Sequence, residues 1–326
     1  MRKFLTALSM GAALTVGVVS GAQAESMSIG FVHHGSVSNT FWQAVKNGYE
    51  DACKKIGADC QMVFVRTEGS VAEVLANMEA VLVRSPDALI TSIIDDNAFD
   101  ATIAKARDAG VIVISTNVDD VDGGQGNARQ AFVGQEFIGA GYTLGREMSV
   151  HFPAEGPINV LLGKSAPGQL WTEQRIGGVV KFLEEYKIAN PDREVNWKAI
   201  DTGTDLAITA SRVGAHLNAN PDTTAYFDAG FWHASVARLL ADDGVPPGKI
   251  LLGGFDLVPE ILQQMKAGYV QVQIDQQPYM QGFSSVMQAY LAHTVGAAPA
   301  SIDTGQGVFY PADADEIMKL SVKGLR

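Results

Sequence analysis

Cysteine is almost missing from this sequence: two in 326 residues, Cys53 and Cys60. Two thiols cannot complete a zinc cluster, and their spacing is not the C-x-x-C of a redox pair. Beyond the first two dozen residues no segment approaches eighteen uninterrupted apolar positions, the length a membrane-spanning helix needs. No long run of one charge marks a nucleic-acid-binding arm or an acidic tail. Enzyme signatures fail in turn. Gly163-Lys164-Ser165 has Ile158 where a phosphate loop requires glycine. No G-x-G-x-x-G opens a helix, no G-x-S-x-G elbow occurs, and no histidines are spaced as H-E-x-x-H. The acidic run Asp119-Asp120-Val121-Asp122-Gly123-Gly124 has neither the acid spacing nor the terminal Glu of a calcium loop. No cofactor and no metal site is expected.

What is present is globular: 47% hydrophobic and 18% charged residues, enough for two cores. The chain begins Met1-Arg2-Lys3, runs apolar from Phe4 to Val19 and reaches Ala22-Gln23-Ala24, the pattern of a secretory signal peptide over residues 1–24. Its removal takes two cations and no acid, so the net charge moves from −12 to −14. An exported acidic chain is a poor partner for nucleic acid or anionic lipid. In an oxidising compartment Cys53 and Cys60 are expected to pair, stapling the end of the first helix to the start of the second strand.

Strands and helices alternate throughout. Ile29–Val32 reads as a strand buried on both faces, followed by a polar loop, His33 to Val37, and a helix start at Ser38 or Asn39. Further strands are expected at 61–65, 88–91, 111–114, 132–133, 158–162, 195–200, 226–227, 250–252 and 270–274, with helices between them. The halves echo each other. Pro86-Asp87 and Pro221-Asp222 each precede a strand, a helix, a glycine (Gly110, Gly244) and an aliphatic strand ending in Asn117 or Asp256. Such a chain predicts an α/β protein of two similar doubly wound parallel-sheet, Rossmann-like domains. Their strand ends would face each other across a cleft.

Residues suited to hydroxyl groups cluster just beyond the expected strand ends. Asn39 can cap a helix whose first turn carries Phe41 and Trp42; these two suit either the face of a ring ligand or the core. Trp171 and Arg175 open another helix, and Arg175 could serve the cleft or a surface pair with Glu173 or Glu184. Phe231-Trp232-His233 follows Phe227. Asp256 could accept from two hydroxyls or cap the next helix, and Gln276 offers both a donor and an acceptor.

Together Ser38-Asn39-Thr40-Phe41-Trp42, Pro86-Asp87-Ala88-Leu89-Ile90, Arg175-Ile176-Gly177-Gly178, Gly253-Gly254-Phe255-Asp256 and Ile274-Asp275-Gln276-Gln277-Pro278 resemble the ribose/galactose type of periplasmic sugar-binding protein, the substrate-binding component of ABC importers. The resemblance spans Met27 to about Lys319. It implies that Asn39, Arg175, Asp256 and Gln276 hydrogen-bond a sugar on which Phe41 and Trp42 stack, with Asn117 where the family usually has Asp. Val118 stands in place of an Arg, and Gly230-Phe231 in place of an Asn-Asp pair. With the additional rings of Phe231, Trp232, His33 and His34, these departures point away from ribose toward another monosaccharide, a sugar alcohol or a cyclic polyol. The resemblance also implies lobes 25–135 plus 277–305 and 136–276 plus 306–326. They would be joined by a three-segment hinge at Gln135-Glu136, Gln276-Gln277 and a strand from Ile302 to Gly307. It further implies a monomer in the periplasm whose closed form meets a membrane permease and, in some systems, a chemoreceptor. A binding protein for chemotaxis or for uptake of a signalling molecule is the alternative reading. A lactose-repressor type regulator would need a helix-turn-helix where the leader stands, and a secreted enzyme would need a nucleophile–base pair.

Overall fold

The computed structural model describes residues 26–326; the expected leader, 1–24, lies outside the described residues. Two six-stranded sheets carry the fold. The first contains β1 (Ser28–Ser36), β2 (Asp59–Val65), β3 (Ala88–Thr91), β4 (Ile112–Asn117), β5 (Ala131–Gly134) and, later in the chain, β11 (Ile302–Asp303). Its spatial order is β11-β5-β4-β3-β1-β2. The second contains β6 (Ile158–Lys164), β7 (Val195–Asp201), β8 (Ala225–Asp228), β9 (Leu251–Phe255), β10 (Val270–Asp275) and β12 (Gly307–Phe309), in the order β12-β10-β9-β8-β6-β7. All pairings are parallel except β10 with β12. The first five strands of each sheet thus run 2-1-3-4-5, and the two halves share one topology. β3, β4, β8, β9 and β10 are buried at every position, as central strands covered by helices on both faces must be.

Helices α1 (Thr40–Ile56), α2 (Val71–Leu82) and α3 (Asp100–Asp108) connect the first four strands. In the second sheet α5 (Leu170–Ala189), α6 (Leu206–Ala219), α7 (His233–Asp242) and α8 (Pro259–Lys266) connect the five strands β6 to β10. The remaining helices are α4 (Phe137–Ser149), α9 (Pro278–Val295) and α10 (Ala314–Ser321). Each sheet therefore has a core on either face, one pair built around Phe31, Tyr49, Phe99 and Met78, the other around Phe227, Phe255, Tyr226 and Met265. Cys53, near the end of α1, and Cys60, in β2, form the expected disulfide with Cα atoms 6.3 Å apart. Gly57 ends α1 in the left-handed conformation, φ 69°.

The chain passes between the sheets three times: from β5 to α4, from β10 to α9, and from β11 to β12. The expected single strand from Ile302 to Gly307 is two short strands instead. Ile302 and Asp303 pair with β5, while Gly307 pairs with Asp275 in the other sheet, so one continuous strand could not serve both. The crossings are bonded to one another. Thr304 N donates to Gly134 O at 2.8 Å, Glu136 N to Asp303 Oδ1 at 3.2 Å, and Gln277 Nε2 to Thr304 O at 2.8 Å.

Two helices after crossings, α4 and α9, pack against α5 and α1 at very close range. A Cβ on Gly282 of α9 would stand 2.0 Å from Val45 O of α1. Backbone cannot yield as a side chain can. Gly282→Ala is therefore expected to cost about 3 kcal/mol, read as a thermal midpoint several degrees lower.

Candidate functional site

The residues that shape the cleft sit just at or beyond the ends of β-strands, most of them where the next helix begins. At the end of β1 the strand runs further than its apolar stretch suggests: His33 and His34 belong to it and are buried, rather than forming the expected polar loop. His33 stacks on Trp42 with ring centroids 4.0 Å apart and planes 19° apart. A Cβ on Gly35 would lie 1.9 Å from Trp42 Cδ1, so glycine is required for the indole to lie against this strand end. Asn39 is the N-cap of α1, its Oδ1 accepting from Phe41 N at 3.1 Å. Phe41 and Trp42 are core and cleft at once. Both are under 7% exposed and pack with Phe31 and Tyr49, and both also line the cavity.

That cavity, of about 200 Å³, lies between the two sheets' strand ends. Of the twelve residues expected at a ligand site it brings together Asn39, Phe41, Trp42, Asn117, Arg175, Asp256, Gln276, Trp171, Phe231, Trp232 and His34. His33 is not among them. Fully buried behind Trp42, with Nδ1 accepting from Gly35 N, it is a backing ring and not a surface of the cleft. On the opposite wall Phe231 and Trp232 stack at 4.6 Å, and Trp171 lies 6.2 Å from Trp232.

The floor is polar and its groups are already oriented. Arg175 is buried rather than paired at the surface with Glu173, which bonds Lys164. Its Nε donates to Gln135 Oε1 and its Nη1 to Ala229 O, both at 2.9 Å. Its guanidinium lies over the rings of Phe255, Phe137 and Trp171 at 4.2, 5.0 and 5.7 Å. Burial lowers its pKa to about 10, with Asp256 and Asp228 opposing, so it stays charged. Asp256 does not cap α8, whose cap position is Val258 without a side-chain bond. Its Oδ1 instead accepts from Gln276 Nε2 at 2.8 Å. Burial raises its pKa, against the pull of Arg175 and Gln276.

Asn117 Nδ2 donates to Gln276 Oε1 at 3.0 Å and to Gln281 Oε1 at 3.1 Å. Both amide hydrogens are thereby used, so Asn117 turns only an acceptor oxygen to the cavity. An amide at this position carries no charge and supplies an acceptor. Among the described residues no partner is found for Asn117 Oδ1, Asp256 Oδ2 or Arg175 Nη2. Two fixed acceptors and one cationic donor on a floor between aromatic walls are what a ring with neighbouring hydroxyls needs.

A buried layer supports this floor. Asp228 accepts from Ser165 Oγ, Gly230 N and His233 N at 2.7–3.0 Å. His233 Nε2 lies 3.1 Å from Gln273 Oε1, and Gln273 Nε2 donates to Asp256 O at 2.9 Å. His233, singled out with Trp232, is thus core with a partner. Glu68, Phe137, Gln169 and Thr204 also line the cavity and escaped the sequence reading. Glu68 could have been found by the rule that located the others, since it follows the end of β2. Gln281, fully buried in α9, carries no such signal.

Residues 29–296 match the family model of the periplasmic binding protein domain, and the chain belongs to that family. It is 28% identical over 290 residues to the xylose/arabinose-binding protein XylF of Sulfolobus acidocaldarius, covering 84% of this chain and 69% of that protein. Among solved structures it resembles a solute-binding protein of Burkholderia graminis in complex with D-arabinose (TM-score 0.77, 24% identity, 88% of this chain and 96% of that one). A periplasmic solute-binding protein of Actinobacillus succinogenes with bound D-allose is similar too (TM-score 0.78, 22% identity, 89% and 100%).

Buried His33 and His34 are expected to make the fold acid-sensitive. Burial holds both pKa values down, that of His34 to about 4 and that of His33 well below its ordinary 6.5. A lowered folded-state pKa means stability that is complete above 6.5 and lost as pH falls toward the folded value. Asp275 opposes this, since burial raises its pKa to about 6 and protonation favours its folded form. The comparison with His34→Gln isolates the histidine. Relative to that variant, the wild-type protein is expected to lose about 1.4 kcal/mol of unfolding free energy per pH unit between about pH 6 and 4.5. Denaturant titrations at each pH measure this difference.

Proposed function

We propose that the protein captures a monosaccharide or polyol by closing two lobes around it and delivers it to the membrane permease of an ABC importer. The observation that carries this is the floor of the cleft. Asn117 and Asp256 stand at equivalent strand ends of the two halves, with Arg175 beside them. A hydroxylated ring can contact both halves only when the cleft is shut, so it stabilises the closed state by its differential affinity. The rings of Phe41 and Trp42 from one side, and of Phe231, Trp232 and Trp171 from the other, would cover the C–H faces of such a ligand. The ligands named for relatives, xylose, arabinose and allose, are of this kind. No bond is made or broken, and no cofactor is required.

The lobes in this reading are 25–135 with 277–305 and 136–276 with 306–326, turning about Gln135-Glu136, Gln276-Gln277 and the stretch between β11 and β12. Export by the leader 1–24 would place the mature protein in the periplasm as a monomer. There the closed surface would meet the permease, and a chemoreceptor in systems that have one.

Thermal unfolding against pentoses, hexoses, alditols and inositols tests the function. Ligand at a hundred times its dissociation constant adds about 2.7 kcal/mol, and a stereospecific hit raises the midpoint by several degrees. A flat panel, on protein first unfolded and refolded to strip any bound ligand, counts against sugar capture. Arg175→Ala should weaken binding of the hit by about 2–4 kcal/mol, the loss of a buried charged donor, measured by calorimetry. Undiminished affinity would remove Arg175 from the site.

A further inference from the structure

We infer that Glu68 is a specificity-determining residue of the cleft, admitting uncharged or amine-bearing hydroxylated rings and rejecting their carboxylate counterparts. The inference rests on the reading of the cleft as a site for a hydroxylated ring. Glu68 lies in the loop between β2 and α2 and lines the cavity. Its Oε2 accepts from Ser36 N at 2.7 Å and its Oε1 from Asn39 Nδ2 at 3.0 Å. Asn39 Oδ1 is at the same time held by Phe41 N. Turned over, the Asn39 amide would set donor against donor at Phe41 and oxygen against carboxylate at Glu68. The amide is thus locked, with one N–H left for a ligand. Beside it, Glu68 keeps spare lone pairs that can only accept.

The charge balance gives this arrangement its selectivity. Among the residues lining the cavity the ionisable groups are Glu68, Asp256, Arg175 and His34. Burial keeps His34 neutral near pH 7. Two carboxylates therefore face one guanidinium, and two of that guanidinium's nitrogens are already bonded to Gln135 and Ala229. A neutral polyol loses nothing to this balance. A sugar acid would add a third negative charge to a lining that already sets Glu68 and Asp256 against one cation. A protonated amine would be accepted there.

Calorimetry on matched pairs reads this directly: D-glucose with D-glucuronate and D-galactose with D-galacturonate, and D-glucosamine beside glucose. The neutral member of a binding pair is expected to bind at least about tenfold tighter than its acid. Glu68→Gln is expected to shrink that ratio by about threefold or more, with the unliganded melting temperature showing that the variant is folded. A loss of packing alone would weaken both members together and leave the ratio unmoved. An acid that binds as tightly as its neutral partner, or a ratio untouched by Glu68→Gln, overturns the inference while leaving sugar capture standing. Silence from every member of every pair overturns the hydroxylated-ring reading, and this inference with it.

Discussion

A single run of side-chain hydrogen bonds, from Asp256 through Gln276 and Asn117 to Gln281 and Thr304, holds the site together. Asp256 ends a strand of one sheet and Asn117 a strand of the other. Gln276 lies on the second crossing, Gln281 just beyond it on α9, and Thr304 on the third crossing. Gln135, on the first crossing, fixes Arg175. Each crossing is therefore bonded to a group on the cleft floor or to that group's support. An amide is suited to this because it donates on one side and accepts on the other, so a run of them orients every member. In a buried setting each bond of such a network is electrostatically stronger than it would be in water. The crossings and the floor of the cavity are thus one bonded structure.

This arrangement also separates densely packed halves from slender connections. The helix pairs α1–α9 and α4–α5, packed backbone to backbone at Gly282 and its counterparts, make each half a firm body around its sheet. Between the halves the crossings use few residues and short strands, β11 with two and β12 with three. Low local stability belongs in such short connections. The aromatic walls are fixed on the firm bodies: His33 behind Trp42, and Phe231 stacked on Trp232.

Much of this was legible in the sequence because its signals are local. Alternating apolar strands and capped helices reveal the doubly wound halves, and residues just past each strand end then become candidates by position alone. That logic found Asn39, Arg175, Asp256 and Trp232 without any view of the cleft. It erred where neighbours in space decide. His33 and His34 look like a polar loop, but Trp42 and Ser92 supply partners that let the strand continue through them. Ile302 to Gly307 reads as one extended segment, and only the facing strands of two different sheets divide it. Gln281 looks like any helical glutamine until Asn117 is seen across from it.

The backbone at the floor explains why these particular acceptors stand there. Asn117 and Asp256 have φ of 66° and 70°, and Gln277, at the second crossing, 55°. Left-handed backbone at a non-glycine residue carries a cost, least for Asn and Asp, whose short polar side chains tolerate it. Glycine would adopt the conformation more readily but would leave the cleft without an acceptor, and a β-branched residue could not adopt it. At each of these strand ends the chain must leave the sheet while turning an oxygen into the cleft. Asn and Asp are the residues that meet both demands. Their appearance at matching places in the two halves then follows from geometry and chemistry together, and the choice of Asn on one side and Asp on the other sets the charge of the floor.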